Sequence, residues 1–564
     1  MRRMRGRAAL GVLIVCVAMV AAACSSSKSK TTTGGAKPSE GTPVKGGTLV
    51  DLQDLSIGEP EHIDPQRVAE VQGSQIGVLM WDRLTKTDFH TGKLIPDVAS
   101  KWTHNDDFTH WQFTLRKTRF SNGDPVLPSS FVYAWNRLAS PALASDVAYH
   151  VVDNLKVKGA SDVQKGTVKE MSGLKADDTA MTLDIDLEAP LSFLDNVVSH
   201  LAFAPIDVPD ISKLPDATKY EQGIMIGNGP YKQDKPWAHN KDISLVRNDN
   251  YDPYPGYKGQ YLDGIDFIIS KDVDSAWAAF QAGQGDTGYI PQAQYTAAQS
   301  QYQGRNTADV PLLALYDWDF NMKDPEVGGP TNVKLRQAIS LIIDRDAMIR
   351  STYNGSRQAA TGIAPPNMPG YKAGLCDYCK RDVAAAKAKL AEWESESGKK
   401  AADLAPIKLN FGAGASHNGN ATIIQANLAE LGIKSTLDPR TTTTYFSQMR
   451  KGQGQFLRSG WSGDYVSYDN FLFPLFDTEA IGGDNLGLYS SPEFDDLIVK
   501  ARKTPEGPDR DKLYQQAEQV VLNKDTASVM LNWYRGSVAW TDKVHNVTQS
   551  PLFFLTYDEM WKTA

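Results

Sequence analysis

The 564-residue chain is poor in most of the features that assign a protein to a class quickly. Four cysteines are too few to staple a disulfide-built fold. Basic residues do not dominate: 59 Lys and Arg face 67 Asp and Glu, a net charge of −8. Nucleic acids and anionic membrane surfaces select basic protein faces, so both are poor partners for this composition. After the first 24 residues no hydrophobic run approaches the roughly 20 residues that a spanning helix needs. No fixed-period repeat is present, which excludes solenoids and propellers. What remains is 41% hydrophobic and 22% charged, the mixture of a globular body that can bury a core. The length suggests about three to four domain-sized units.

Catalytic signatures are also missing. Gly460-Trp461-Ser462-Gly463-Asp464 comes near a nucleophile elbow but lacks its closing glycine. None of the nine histidines falls in the H-E-x-x-H spacing that holds zinc, and no phosphate-binding G-x-x-x-x-G-K-[ST] loop occurs. Adjacent acids such as Asp106-Asp107 and Asp495-Asp496 read as solvated surface in so acidic a chain. The expectation is a protein that is not an enzyme and that has neither cofactor nor metal.

The N-terminus is distinctive. Arg2, Arg3, Arg5 and Arg7 precede the apolar run Ala8 to Ala23, the pattern of an export signal. Ala21-Ala22-Ala23-Cys24-Ser25 resembles the lipobox of bacterial lipoproteins. That resemblance implies cleavage after residue 23 and acylation of Cys24; an ordinary signal peptide abutting a cysteine is the competing reading. Residues 24–46 are rich in Ser, Thr, Gly, Lys and Pro and suit a flexible tether. Loss of residues 1–23 would remove four arginines and no acid, moving the net charge from −8 to −12. Cys376 and Cys379 then remain as a C-x-x-C. A redox motif would need a thioredoxin-like context and a zinc site a second ligand pair. An outward-facing compartment favours a disulfide that clips the loop.

From Gly46 onward helix and strand signals intermix, as in α/β or mixed α+β layers. Residues 110–116 and 181–187 alternate with period two, the mark of half-buried strands. Asn332 is placed to cap a helix running from Val333 towards Gly355. Helical patterns also cover 384–393, closing near Gly398, and 513–522. A helix over 423–431 ends at Gly432, and a strand follows at 433–437.

Four blocks in register resemble the extracellular solute-binding proteins of ABC importers, in the dipeptide and oligopeptide branch called family 5. The first runs through Pro96 to Trp102, Phe120-Ser121-Asn122-Gly123-Asp124-Pro125 and Phe131 to Arg137. The second is Gly227-Asn228-Gly229-Pro230-Tyr231 with Arg247-Asn248 and Tyr251. The third is Asn321-Met322-Lys323, Val333 to Ile339 and Asp344-Arg345. The fourth is Trp461-Ser462-Gly463-Asp464-Tyr465 with Asn470-Phe471-Leu472. The order holds from about residue 47 to 563. The pattern departs at Leu127-Pro128, Ser130 and Asp252, positions that read as structural.

The resemblance implies a two-lobed fold with a hinge and an extra domain. Lobe one would comprise 47–85, 205–317 and 530–564, the extra domain 86–204, and lobe two 318–529. It further implies an oligopeptide ligand enclosed between lobes and passed to a membrane permease, with wording that leans away from nickel and haem binders. Asp464 matches the family aspartate that pairs with the peptide ammonium. Trp461, Ser462, Gly463 and Tyr465 flank it, while Tyr149 and Glu70-Val71-Gln72 align with cleft segments. Trp318 and Asn321 fall at the expected crossing into lobe two, where core packing is the competing reading. Arg336 and Asp344 read as structural. The protein is expected to be a monomer on the outer face of the cell membrane, held there by lipid alone. A dipeptide, nickel complex or oligosaccharide receptor is the alternative, and an exported peptide or cell-wall hydrolase a more distant one.

Overall fold

The computed structural model describes residues 41–56, 58–302 and 306–563; the export signal, Cys24 and most of the tether lie outside them. Among the described residues no helix is long and apolar enough to cross a membrane. The fold is mixed α/β, built around two large sheets and a smaller one.

The first large sheet has seven strands in the order Thr307–Ala308, Val538–Trp540, Thr287–Tyr289, Thr48–Leu52, Gly264–Ile268, Asp242–Arg247 and Tyr231–Gln233. Its middle strand, Thr48–Leu52, pairs in parallel on both sides. A four-stranded antiparallel sheet, Ala99–His104, His110–Leu115, Thr182–Asp186 and Leu174–Asp177, packs nearby. The two period-two segments are thus neighbouring strands. Leu49, Ile265, Phe113 and Leu183 belong to one continuous core, so the small sheet shares its interior with the seven-stranded one.

The second large sheet has six strands: Arg357–Ala359, Ser528–Arg535, Pro311–Phe320, Phe456–Ser462, Ile407–Gly412 and Ser435–Arg440. Helix Ala415–Glu430 connects its parallel pair Ile407–Gly412 and Ser435–Arg440. Gly432 takes φ +72° between helix and strand, a left-handed conformation that glycine adopts without strain. Strand Pro311–Phe320 is buried along nearly its whole length because helices cover both faces of the sheet. Leu313 and Leu315 enter the core on one face; Tyr316, Trp318 and Phe320 enter the core on the other.

That strand corrects the expected boundaries. Pro311–Phe320 pairs from Ala314 to Phe320 with Phe456–Ser462, and Ser528–Arg535 lies on its other side. Division at 317/318 and 529/530 would therefore cut two strands of one sheet. The chain passes between the large sheets at 309–310 and again at 536–537, where Gly536 N–H donates to Val310 O at 2.8 Å. Doubly buried strands carry no alternation to locate their ends, so the sequence pattern placed the first crossing late and the second early.

Smaller differences have equally local causes. The helix expected from Val333 to Gly355 is two: Val333–Ile342 and Arg345–Ser351, the second capped by Asp344 accepting the Ala347 N–H at 2.8 Å. Asn332 does not cap the first; its amide donates to Gly328 O and its oxygen accepts the Trp393 indole N–H. Helix Val383–Ser397 ends at left-handed Gly398. Arg336 is fully buried and donates to the carbonyls of Val327, Gly329, Asp525 and Thr526, a clamp between segments. At the departures from the family pattern, Pro128 begins helix Pro128–Ala139, and Asp252 pairs with Arg119 at 3.0 Å. Cys376 and Cys379 are joined in a disulfide.

Candidate functional site

A cavity of about 700 Å³ opens where the loop after strand Phe456–Ser462 meets the body of the seven-stranded sheet. Ser462, Gly463 and Asp464 form one wall; segments around residues 69–116, 199–201, 254–258 and 552–559 form the rest. This volume lies within the range of roughly 300–1,000 Å³ typical of sites that enclose a small ligand.

Asp464 is held from two directions. Its backbone N–H donates to Asn470 Oδ1 at 2.8 Å, and Asn470 Nδ2 returns a bond to Asp464 Oδ2 at 2.9 Å. The Tyr149 hydroxyl donates to the same Oδ2 at 2.6 Å. Burial first, then the Asp464 charge, pushes the Tyr149 phenol well above its ordinary range, so it stays a donor. Among the described residues Oδ1 has no hydrogen-bond partner, although the carboxylate is only partly buried. One oxygen is fixed and the other is free, which is the preorganised acceptor a ligand cation needs.

The helix Val71–Met80 supplies another wall. Glu70, Val71, Ser74 and Val78 line the cavity, a stripe at helical spacing. Gln72 points off that stripe and does not line it. Glu70 Oε1 also accepts the backbone N–H groups of Glu61 at 2.8 Å and His62 at 3.3 Å, which fixes the start of the helix.

Four further residues from the sequence reading belong elsewhere. Tyr465 is 1% exposed, lies in the core shared by the first two sheets, and its hydroxyl accepts from Asn154 Nδ2 at 2.7 Å. Trp461 is half-buried and does not line the cavity; its indole N–H donates to Asn470 Oδ1 at 3.2 Å and so braces the residue that holds Asp464. Trp318 is fully buried in the second sheet's core. Asn321 ties down the turn at Gly452 and Gly454 through its side-chain amide. For Trp318 and Asn321 the cause is the position of the strand crossing, seven residues or more before Trp318.

The sequence reading missed the charged end of the cavity. Arg83, Lys86, Arg116 and Lys258 line it together with Asp88, Asp97, Asp558 and Glu559. Lys86 Nζ stands 3.6 Å from Asp558 Oδ2 and faces the Tyr254 ring at 5.3 Å. Behind them Asp82 is buried near Asp97, and burial followed by that like charge pushes its carboxyl up to about 8. His200, on the wall beside Asp464, was also unmarked. Asn470 stood in the fourth block, but its grip on Asp464 shows only in three dimensions.

The family model for the middle region of bacterial extracellular solute-binding proteins, family 5, matches residues 93–483. The chain belongs to this family. As a family 5 solute-binding protein it is 26% identical over 527 residues to the oligopeptide-binding protein OppA of Bacillus subtilis, covering 92% of this chain and 93% of that one. It is also 26% identical over 473 residues to an Escherichia coli relative named "Probable deoxycholate-binding periplasmic protein YgiS", covering 83% and 84% of the two chains. Among solved structures, Haemophilus influenzae OppA in complex with the peptide RPPGFSPFR superposes with a TM-score of 0.74 at 24% identity, over 92% of this chain and 99% of that one. The unliganded open form of the murein tripeptide-binding protein MppA superposes with a TM-score of 0.71 at 22% identity. These likenesses establish the periplasmic-binding-protein fold for this solute-binding protein.

Proposed function

We propose that this family 5 protein is the substrate-binding component of an ABC importer for short peptides with a free N-terminus. The observation that carries the reading is Asp464: a carboxylate at the cavity wall with one oxygen pinned by Tyr149 and Asn470 and the other free. A terminal ammonium taken from water needs such a partner, because an unpaired buried charge is very costly. Peptide backbones can be recognised by hydrogen bonds as an added strand would be, and water in a roomy cavity tolerates varied side chains. Several relatives are named as oligopeptide or dipeptide binders, which supports the same class.

The rest of the account follows from this role. Acylation of Cys24 would hold the receptor at the outer face of the cell membrane, and the permease would be the partner that takes the ligand. The body around the seven-stranded sheet acts as lobe one, 86–204 as the extra domain, and the six-stranded sheet as lobe two. Closure is a hinge motion about 309–310 and 536–537. Titration calorimetry with mixed tri- to pentapeptides tests the proposal: saturable heat is expected, and no binding to any of them would contradict it. A second reading is an amphipathic acid, favoured by the deoxycholate-named relative and by Phe89, Leu552 and Phe554 beside Lys86 and Lys258 in the cavity. Deoxycholate in place of peptide, tested in the same cell, separates the two.

A further inference from the structure

A wholly buried histidine without partners stands behind Asp464. His150 is 0% exposed, and neither ring nitrogen has a hydrogen-bond partner among the described residues. Burying a donor or acceptor unsatisfied costs roughly 1–3 kcal/mol per group, so such a ring calls for an explanation. Its neighbours on the cavity side are the His200 ring, 4.2 Å away between centroids, and Asp464. One ring nitrogen of each histidine and a carboxylate oxygen of Asp464 all lie within 4.8 Å of one another. Ligands on one tetrahedral Zn²⁺ at about 2.0–2.1 Å stand about 3.3 Å apart, so side-chain rotations of about an ångström would close the set.

We propose that His150, His200 and Asp464 form a Zn²⁺ site, three protein ligands with the fourth position open to the cavity. This goes against the sequence expectation of no metal, since the three residues come from segments 50 and 264 positions apart and share no motif spacing. Two imidazoles and one carboxylate are the donor set that zinc takes in sites that keep one position open. Burial pushes both imidazoles down to about 3, so they are neutral and offer lone pairs without competing protons. His200 Nδ1 now accepts the Ala202 N–H at a long 3.3 Å. Ligation through Nε2 moves the ring proton to Nδ1 and releases that contact. Arg83 lies on the same wall and opposes a cation; the Asp464 carboxylate offsets it. Zinc and a peptide ammonium would both use the Asp464 carboxylate, so each is expected to weaken the other.

The test uses the full mature protein without a polyhistidine tag, equilibrated with ZnCl₂, gel-filtered and analysed for metal. One zinc per chain is expected, with an upward shift of the thermal midpoint. Co²⁺ in its place should give the intense visible absorption of a four-coordinate ion. His200→Ala and Asp464→Asn should each weaken zinc at least about tenfold and abolish the thermal shift. Asp464→Asn preserves shape, and melting in chelator establishes that each variant folds. Substoichiometric zinc in the wild type, or equal zinc in wild type and both variants, would overturn the site.

Discussion

At the scale of single residues, the account rests on how Asp464 is held. Tyr149 and Asn470 both donate to Oδ2, and they reach it from different segments of the chain. Tyr149→Phe removes one charged-acceptor hydrogen bond, worth about 1.5–3 kcal/mol in total, part of which water restores at this half-buried group. Peptide affinity measured by calorimetry is therefore expected to fall about tenfold, with the thermal midpoint nearly unchanged. Unchanged affinity would remove Tyr149 from the site. The fourth sequence block made Asp464 legible, because its residues are contiguous. The Tyr149 contact was only loosely legible, since it spans 315 residues of chain. His150, His200, Lys86 and Arg116 were not legible at all: isolated charged or imidazole side chains carry no spacing signal when the fold alone gathers them.

At the scale of elements, periodicity served where one face is buried and failed where both are. His110–Leu115 alternates, with Trp111, Phe113 and Leu115 buried, and was read as a strand from its sequence. Pro311–Phe320 is buried on both faces, so neither its start nor its membership in the six-stranded sheet could be seen in advance. Trp318 sits inside that sheet. Trp318→Ala should destabilise the protein by about 3–5 kcal/mol in urea unfolding while leaving peptide affinity within about twofold. A large affinity loss in a folded variant would return Trp318 to the site. The helix Pro508–Gln519 offers a pH test. Its Glu518 is buried, accepts from Tyr468 Oη and the Ile363 and Ala364 N–H groups, and burial pushes it up to about 7. Between about 4.5, its ordinary value, and 7 the folded state holds a proton that the unfolded state has released. Stability from this group is thus fully present below 4.5 and declines as pH rises towards 7. Glu518→Gln should flatten that decline by up to one proton in the slope of unfolding free energy against pH; an unaltered slope would contradict the assignment.

At the scale of the whole molecule, the proposed function needs two bodies that close about two short crossings. The core shared by the seven- and four-stranded sheets is distinct from the two cores that flank the six-stranded sheet, except that Tyr465 reaches into it from the loop after Phe456–Ser462. The proposed hinge lies at the crossings 309–310 and 536–537. Small-angle scattering should show a smaller radius of gyration on adding saturating peptide, and an identical profile would argue against closure. The family and its mixed α/β fold were legible from four short blocks, because those blocks are local in sequence. The boundaries were not, since they depend on where a buried strand begins. The central claim remains the pairing of a peptide ammonium with Asp464. It is tested most directly by calorimetry of one tripeptide with a free and with an acetylated N-terminus, against wild type and Asp464→Asn. The account predicts that acetylation and the substitution each cost about 3 kcal/mol, roughly a hundredfold in affinity, and that their effects do not add. Equal wild-type affinity for the free and acetylated peptides would contradict it.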